Sequence, residues 1–123
     1  MPAQILVVDD EALLRDLLKR SLQHAGYVVH TAQNGDEALT LFSSLPIDLA
    51  LIDVMMPGMN GHVVCSTIRQ ESDVPIILLT SLDTPEEIVQ GYSAGADDYI
   101  TKPFQFRDVA VRIETLLRRA ATA

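Results

Sequence analysis

Cysteine is nearly absent from this chain: Cys65 is the only one in 123 residues, which excludes an internal disulfide. Basic residues are also scarce. Nine Lys and Arg stand against seventeen Asp and Glu, a net charge of −8, and this balance argues against nucleic-acid binding by the domain itself, which needs a basic face. Protein partners are expected instead. No apolar run approaches the ~20 residues that a membrane-crossing helix needs. The opening MPAQILVVDD has no charged segment ahead of a long apolar stretch, so a secretory leader is not expected either and the chain reads as cytoplasmic. Repeats, low-complexity tracts and an internal linker are missing too. That leaves one domain over residues 1–123, large enough to bury roughly two-thirds of its unfolded surface.

What is present is an alternation of two periods. Short runs that are continuously apolar or of period two alternate with stretches of period 3.6, and five strand-helix pairs fit. Residues 4–8, 47–52 and 75–79 (QILVV, IDLALI, PIILL) are nearly all apolar, as expected of central parallel strands covered on both faces. YVVHT at 27–31 and DYI at 98–100 are more polar and suit the edges. The first helix, about 11–25, puts Leu14, Leu17, Leu18, Leu22 and Ala25 on one face and stops at Gly26, a left-handed cap. The second follows Asn34, with Glu37 as capping-box partner. The third starts after Asn60 and is expected to bury Val63, Val64, Thr67 and Ile68. Thr84, Pro85 and Glu87 open the fourth with a cap, a proline at the first position and a box partner, while Gly91 and Gly95 weaken its body. The fifth, about 105–119, turns Val109, Ile113, Leu116 and Leu117 inward.

Polar residues sit at the ends of these apolar runs: Asp9 and Asp10 after ILVV, Asp53 after LALI, Thr80 after IILL, Lys102 after DYIT. In an open parallel sheet all strand carboxyl ends lie on one edge, where ligands bind at the switch in strand order, so these residues converge. Carboxylates brought to about 4 Å repel by about 4 kcal/mol per pair at an intermediate dielectric, and a cation must hold them. An all-oxygen cluster with few dedicated ligands suits Mg²⁺, which bridges protein carboxylates to phosphate. Lys102 and the Thr80 hydroxyl then complete a site for a phosphoryl group carried on a carboxylate.

Each residue has a plainer role open to it. Asp9 and Asp10 suit the cap of the first helix equally well, Lys102 can be a loop lysine, Thr80 a strand filler and Tyr99 a core aromatic with a wet hydroxyl. Asp53 resists such an explanation, because it follows a nearly unbroken apolar run and precedes Val54, Met55, Met56 and Pro57. His24, His30 and His62 lack metal-ligand spacing and an evident carboxylate partner, and surface or helix positions are expected for them. Cys65 reads as a small buried hydrophobe.

The segments VVDDE, DVMMPGMNG, the Thr80-Ser81 step after a buried strand and GADDYITKPF, taken in this order, resemble a response-regulator receiver domain of two-component signalling, close to those of winged-helix transcription regulators. The resemblance spans essentially the whole chain. It implies a doubly wound (βα)5 flavodoxin-like α/β fold, a parallel five-stranded sheet of order 2-1-3-4-5 with helices on both faces. It implies that Asp53 accepts a phosphoryl group from a sensor histidine kinase or phosphotransfer protein, catalysing only its own phosphorylation and dephosphorylation. Asp10, Asp53 and the Met55 backbone carbonyl would bind Mg²⁺ directly and Asp9 through water. Lys102 would pair with the phosphoryl oxygens, across a cis bond to Pro103, and Thr80 and Tyr99 would be the switch pair that shifts the fourth helix, fifth strand and fifth helix. Asp98, Arg112 and Arg119 match charges of the family's dimer face, and residues 119–123 would begin a linker in a longer regulator.

Departures from the family pattern are specific. Ser81 replaces the commoner alanine, Met55 and Leu82 occupy the lifetime-tuning positions without a polar group, and Ala94 and Ile88 replace charged dimer partners. Since neither Met55 nor Leu82 can orient a water, a long-lived phosphoryl group is expected. A Mg-dependent aspartyl-phosphate phosphatase needs a second acid two residues beyond its nucleophile, where this chain has Met55. A flavodoxin-type flavin binder is opposed by the Asp-Asp-Glu of the first loop, which would repel a phosphate. A degenerate receiver acting only through protein contacts is the nearer alternative.

Overall fold

The apolar runs and helical periods assemble into a three-layer α/β structure. In the computed structural model, residues 2–81 and 84–122 are described. The elements in order are β1 (Gln4–Val8), α1 (Ala12–His24), β2 (Val28–Ala32), α2 (Gly35–Ser44), β3 (Leu49–Asp53), α3 (Gly61–Arg69), β4 (Ile76–Thr80), α4 (Pro85–Ser93), β5 (Asp98–Thr101) and α5 (Phe106–Thr122). All neighbouring strands pair parallel, in the order β2-β1-β3-β4-β5. The sheet is therefore doubly wound, with its switch in direction between β1 and β3.

Alternation along each strand divides the core in two. Ile5, Val7, Leu49, Leu51, Ile77 and Leu79 face α1 and α5, where Leu18, Leu22, Val109, Ile113 and Leu116 cover them. Leu6, Val8, Ala50, Ile52, Ile76 and Leu78 face α2, α3 and α4 and meet Ala38, Val64, Cys65 and Ile68. Both sides of β1, β3 and β4 are thus dry, which is why those strands read as unbroken apolar runs.

Helix ends follow the expected chemistry. Asn34 Oδ1 accepts from Glu37 N at 2.8 Å, Asn60 Oδ1 from Val63 N at 3.1 Å and Thr84 Oγ1 from Glu87 N at 3.2 Å, each satisfying an amide left unpaired in a first turn. Gly26 has φ of 99° just after α1, the left-handed exit expected of it.

Several expectations are corrected. Strands β2, β3 and β4 begin one or two residues later than the apolar runs suggested, so Asp53 and Thr80 are the last residues of β3 and β4, paired in register with Leu79 and Thr101. Leu17 is 41% exposed and Ala25 is exposed, because the core stripe of α1 is the narrow row Leu14, Leu18, Leu22. Helix α3 is rotated relative to the expected face: Val64, Cys65 and Ile68 are buried, Val63 is exposed and Thr67 only half-buried. Gly95 lies beyond α4 with φ of 107° and ends that helix rather than interrupting it. Helix α5 continues to Thr122, so residues 119–122 are helical.

Candidate functional site

The carboxyl edge of the sheet gathers the residues that the sequence singled out. Asp9 follows β1, Asp53 ends β3, Thr80 ends β4 and Lys102 follows β5. One carboxylate oxygen from each of Asp9, Asp10 and Asp53 lies within 4.8 Å of the other two. Asp9 and Asp53 are buried and Asp10 is exposed, so the cluster opens to solvent on one side. Lys102 Nζ stands 3.3 Å from Asp53 Oδ1 and 3.6 Å from Asp9 Oδ2. The Lys102–Pro103 bond is cis, as the resemblance implied.

Local structure fixes the acids. Asp9 Oδ1 accepts from the Glu11 amide at 2.9 Å, and Arg15 Nη1 donates to the Asp9 carbonyl at 2.8 Å, which ties the loop to the first turn of α1. Asp9 Oδ2 is buried without a hydrogen-bond partner. Burial, opposed by the Glu11 amide and Lys102, raises the Asp9 carboxyl above its ordinary value. Asp53 is pushed up to about 6, first by burial and then by the Asp9 charge; Lys102 and the Met55 amide pull the other way without prevailing. One lysine does not neutralise this much buried negative charge. An oxygen-only, acid-rich cluster with an orphaned carboxylate oxygen is a fit for a hard divalent cation, and the donor set matches Mg²⁺ better than Zn²⁺.

Gly61 is a site residue that the sequence reading missed. A Cβ there would fall 2.4 Å from the Asp53 carbonyl oxygen and 2.8 Å from Val54 Cα, so only glycine lets α3 start against the end of β3. Its amide donates to the Val54 carbonyl at 3.0 Å, closing the loop that carries Met55, Met56 and Pro57 beside the acids. Met55 projects outward, 55% exposed.

Tyr99 lies inward, 9% exposed, with its hydroxyl donating to Glu87 Oε1 at 3.2 Å. Burial first, then the Glu87 charge, raises this phenol to about 12, while a hydrogen bond with Thr80 acts in the opposite direction. Thr80, itself fully buried, thus links the acid edge to the phenol. Gly91 faces the ring: a Cβ there would sit 2.5 Å from Tyr99 Cε2. This helical glycine makes room for the tyrosine as well as weakening the helix.

His62 lies on a helix, α3, as expected, but it has a carboxylate partner that the sequence did not show. It is buried, 7% exposed, with Nε2 3.2 Å from Glu87 Oε1. Glu87 is remote in sequence and becomes a partner only when α3 packs beside α4. Of the other two, His30 Nε2 bonds Gln4 Oε1 at 2.8 Å and His24 is exposed. Cys65 is buried as expected, and burial pushes its thiol up to about 11. Arg69 was not anticipated either. It donates to the carbonyls of Gly95, Ser72 and Val74 and to Asp97 Oδ2, stapling the end of α3 to the turn before β5. Of the residues expected on a dimer face, Asp98 and Arg112 are paired with each other within the chain, Nη1 lying 3.0 Å from both carboxylate oxygens, and Arg119 is exposed. Leu82 lies outside the described residues.

The fold and this constellation agree with one family, whose pattern, the response regulator receiver domain, matches residues 5–114. The chain belongs to that family. The receiver is 48% identical over 118 residues to the transcriptional regulatory protein ResD of Bacillus subtilis, covering 96% of this chain and 49% of ResD. It is 49% identical over 118 residues to a probable transcriptional regulator, ycf27, of Cyanidium caldarium, covering 96% of this chain and 47% of that protein. The chain thus spans about half the length of these curated relatives. Among solved structures, the receiver domain of the Francisella response regulator 1452 superimposes with a TM-score of 0.91 at 33% identity, covering 96% of this chain and 98% of that one. The chemotaxis protein CheY4 of Vibrio cholerae gives 0.90 at 33% identity, over 94% and 99%. A receiver domain of two-component signalling is consistent with a phosphorylation-activated switch and with partners of the histidine-kinase or phosphotransfer class. Among the described residues no helix is long and apolar enough to cross a membrane.

Proposed function

We propose that this receiver accepts a phosphoryl group on Asp53 from the phosphohistidine of a sensor kinase or phosphotransfer protein. The observation that carries the reading is the position of Asp53: buried at the end of β3, crowded by Asp9 and Asp10, and 3.3 Å from the Lys102 ammonium. A carboxylate oxygen of Asp53 attacks phosphorus as the phosphorus–nitrogen bond of the donor breaks; the electron pair leaves with the imidazole, which takes up a proton. The product is an acyl phosphate. Little covalent chemistry falls to the protein, so positioning and charge neutralisation dominate.

Asp10, Asp53 and the Met55 carbonyl would hold Mg²⁺, with Asp9 acting through water. When bound, the ion neutralises the acids and the charge of the incoming phosphoryl oxygens. Lys102 supplies the fixed positive charge on the opposite side, and the Thr80 hydroxyl donates to the same phosphoryl group. As Thr80 turns toward phosphate, its bond to the Tyr99 phenol changes, and Tyr99 communicates this to α4, β5 and α5. Phosphate shifts that equilibrium only by its difference in interaction with the two states. The α4-β5-α5 surface is then the output, either to a DNA-binding domain joined through a linker beyond α5 or to a separate partner. A homodimer through this face would have to redirect the Asp98–Arg112 pair between chains, with Arg119 at its edge. We place the protein in the cytoplasm, as a phosphoacceptor that catalyses only its own phosphorylation and dephosphorylation.

Incubation with acetyl phosphate and Mg²⁺ followed by intact mass measurement tests the reading. A single phosphoryl adduct that disappears in Asp53→Asn and in excess EDTA is expected. No adduct under any condition would instead indicate a degenerate receiver working through protein contacts alone.

A further inference from the structure

Away from the acid cluster, one buried polar group has no role in the chemistry above. His62 is the second residue of α3, and its Nε2 is buried without a hydrogen-bond partner although it stands 3.2 Å from Glu87 Oε1. The contact is close without making a hydrogen bond. Glu87 is the third residue of α4; its side chain is only 14% exposed, and the same Oε1 accepts the Tyr99 hydroxyl at 3.2 Å. A carboxylate withdrawn this far from water is costly unless donors or a cation meet it. One phenol does not suffice. The imidazole is the second group in reach, and it comes from a different helix.

Three elements therefore meet on one oxygen: α3 through His62, α4 through Glu87 and β5 through Tyr99. The Tyr99 ring has no slack on its other side, where Gly91 leaves only the room that a missing Cβ provides. Its hydroxyl also bonds Thr80. A side chain that keeps Glu87 turned inward thus keeps the phenol over Thr80. If Glu87 turned to solvent, Tyr99 would lose its acceptor and its inward position would be held only by ring packing and the bond with Thr80.

We propose that His62 is a positioning residue of the switch: by holding the Glu87 carboxylate inside, it keeps Tyr99 in the inward position and sets the balance between inward and outward rings before any phosphoryl group arrives. This rests on the proposed role of Tyr99 as the moving element. His62 touches neither the acids nor the phosphoryl site, so its removal should leave the acceptor chemistry available and alter the resting distribution of Tyr99.

The test is the ring resonance of Tyr99 in unphosphorylated protein carrying ring-labelled tyrosine, identified by its loss in Tyr99→Phe. His62→Leu fills the volume without a donor, and His62→Gln keeps an N–H. In His62→Leu the outward share of Tyr99 is expected to rise by about fivefold, the scale of one lost buried polar contact. His62→Gln should recover most of the difference, a rescue that mere filling of space cannot give. Glu87→Gln should likewise move Tyr99, and it carries the test if His62→Leu does not fold. An unchanged resonance of Tyr27, which packs on the opposite face of the sheet, reports an intact fold. A Tyr99 resonance unaltered in folded His62→Leu would overturn the proposal, as would one unaltered in Glu87→Gln. Because the spectra are taken without phosphate, failure to form an Asp53 adduct would count against the acceptor reading and leave this result standing.

Discussion

Replacing Asp53 by Asn should make the metal-free protein more stable, and more so at neutral pH than in acid. The folded state raises this carboxyl from 3.8 to about 6, chiefly by burial and next by the Asp9 charge. An acid with a raised folded value destabilises the fold once it ionises. Between the two values the folded chain keeps a proton that the unfolded chain has lost, so unfolding free energy falls as pH rises through this window. Roughly two units at about 1.4 kcal/mol each set a ceiling near 3 kcal/mol. Asn is nearly isosteric and removes the charge at every pH. It also deprives Lys102 of one partner, but the Asp9 contact at 3.6 Å remains. A net gain of about 1–3 kcal/mol at about pH 7.5 is therefore expected, several degrees in Tm for a domain of this size. By about pH 4 the difference should have largely closed. Urea unfolding followed by far-ultraviolet circular dichroism, in EDTA, on both proteins at both pH values measures it. A variant no more stable than the parent at neutral pH, or a gain unchanged by acid, would refute the argument that buried charge strains this site.

The other predictions concern what surrounds the site. Mg²⁺ should raise the Tm of the parent protein and do so less in Asp53→Asn, since one of the acids that would hold the ion is gone; equal shifts would place the binding elsewhere. Gly61→Ala should cost more than about 2 kcal/mol, because the added Cβ meets backbone at 2.4 Å, and should slow adduct formation from acetyl phosphate; a neutral effect on both would mean that β3 and α3 separate freely. Gly91→Ala should fail to deliver the ~1 kcal/mol that helix propensity promises, yet deliver it in a Tyr99→Ala background, a change of sign read by a double-mutant cycle of denaturation curves. Loss of the Arg69 staple in Arg69→Met should cost about 2–3 kcal/mol, since carbonyls of Gly95 and Val74 lose their donor. The acyl phosphate, followed by intact mass after removal of the donor, should decay slowly beside an apolar Met55; decay as fast as that of a chemotaxis-type receiver would show that some other group orients the water.

The strands could be read from sequence because both faces of β1, β3 and β4 are dry, so hydrophobicity alone marks them, and parallel pairing then sends every carboxyl end to one edge. From that geometry the convergence of Asp9, Asp10, Asp53, Thr80 and Lys102 could be anticipated without coordinates. The helix starts could be read for a similar reason: Asn34, Asn60 and Thr84 act on amides only three residues away. Helix faces were less certain, since a residue on the shoulder of an apolar stripe, such as Leu17 or Val63, is buried or exposed according to a rotation that only the neighbouring layer sets. What tertiary structure alone decided is the set of encounters between packed elements. His62 becomes a buried partner of Glu87 because α3 lies against α4, Gly61 and Gly91 are required by atoms of Asp53 and Tyr99 on the strands packed against their helices, and Arg69 finds its acceptors in the turn before β5. Sequence fixes which groups are available and where local hydrogen bonds begin. The packing of layers determines which of those groups share a dry volume, and in that volume a lone carboxylate or imidazole acquires its energetic consequence.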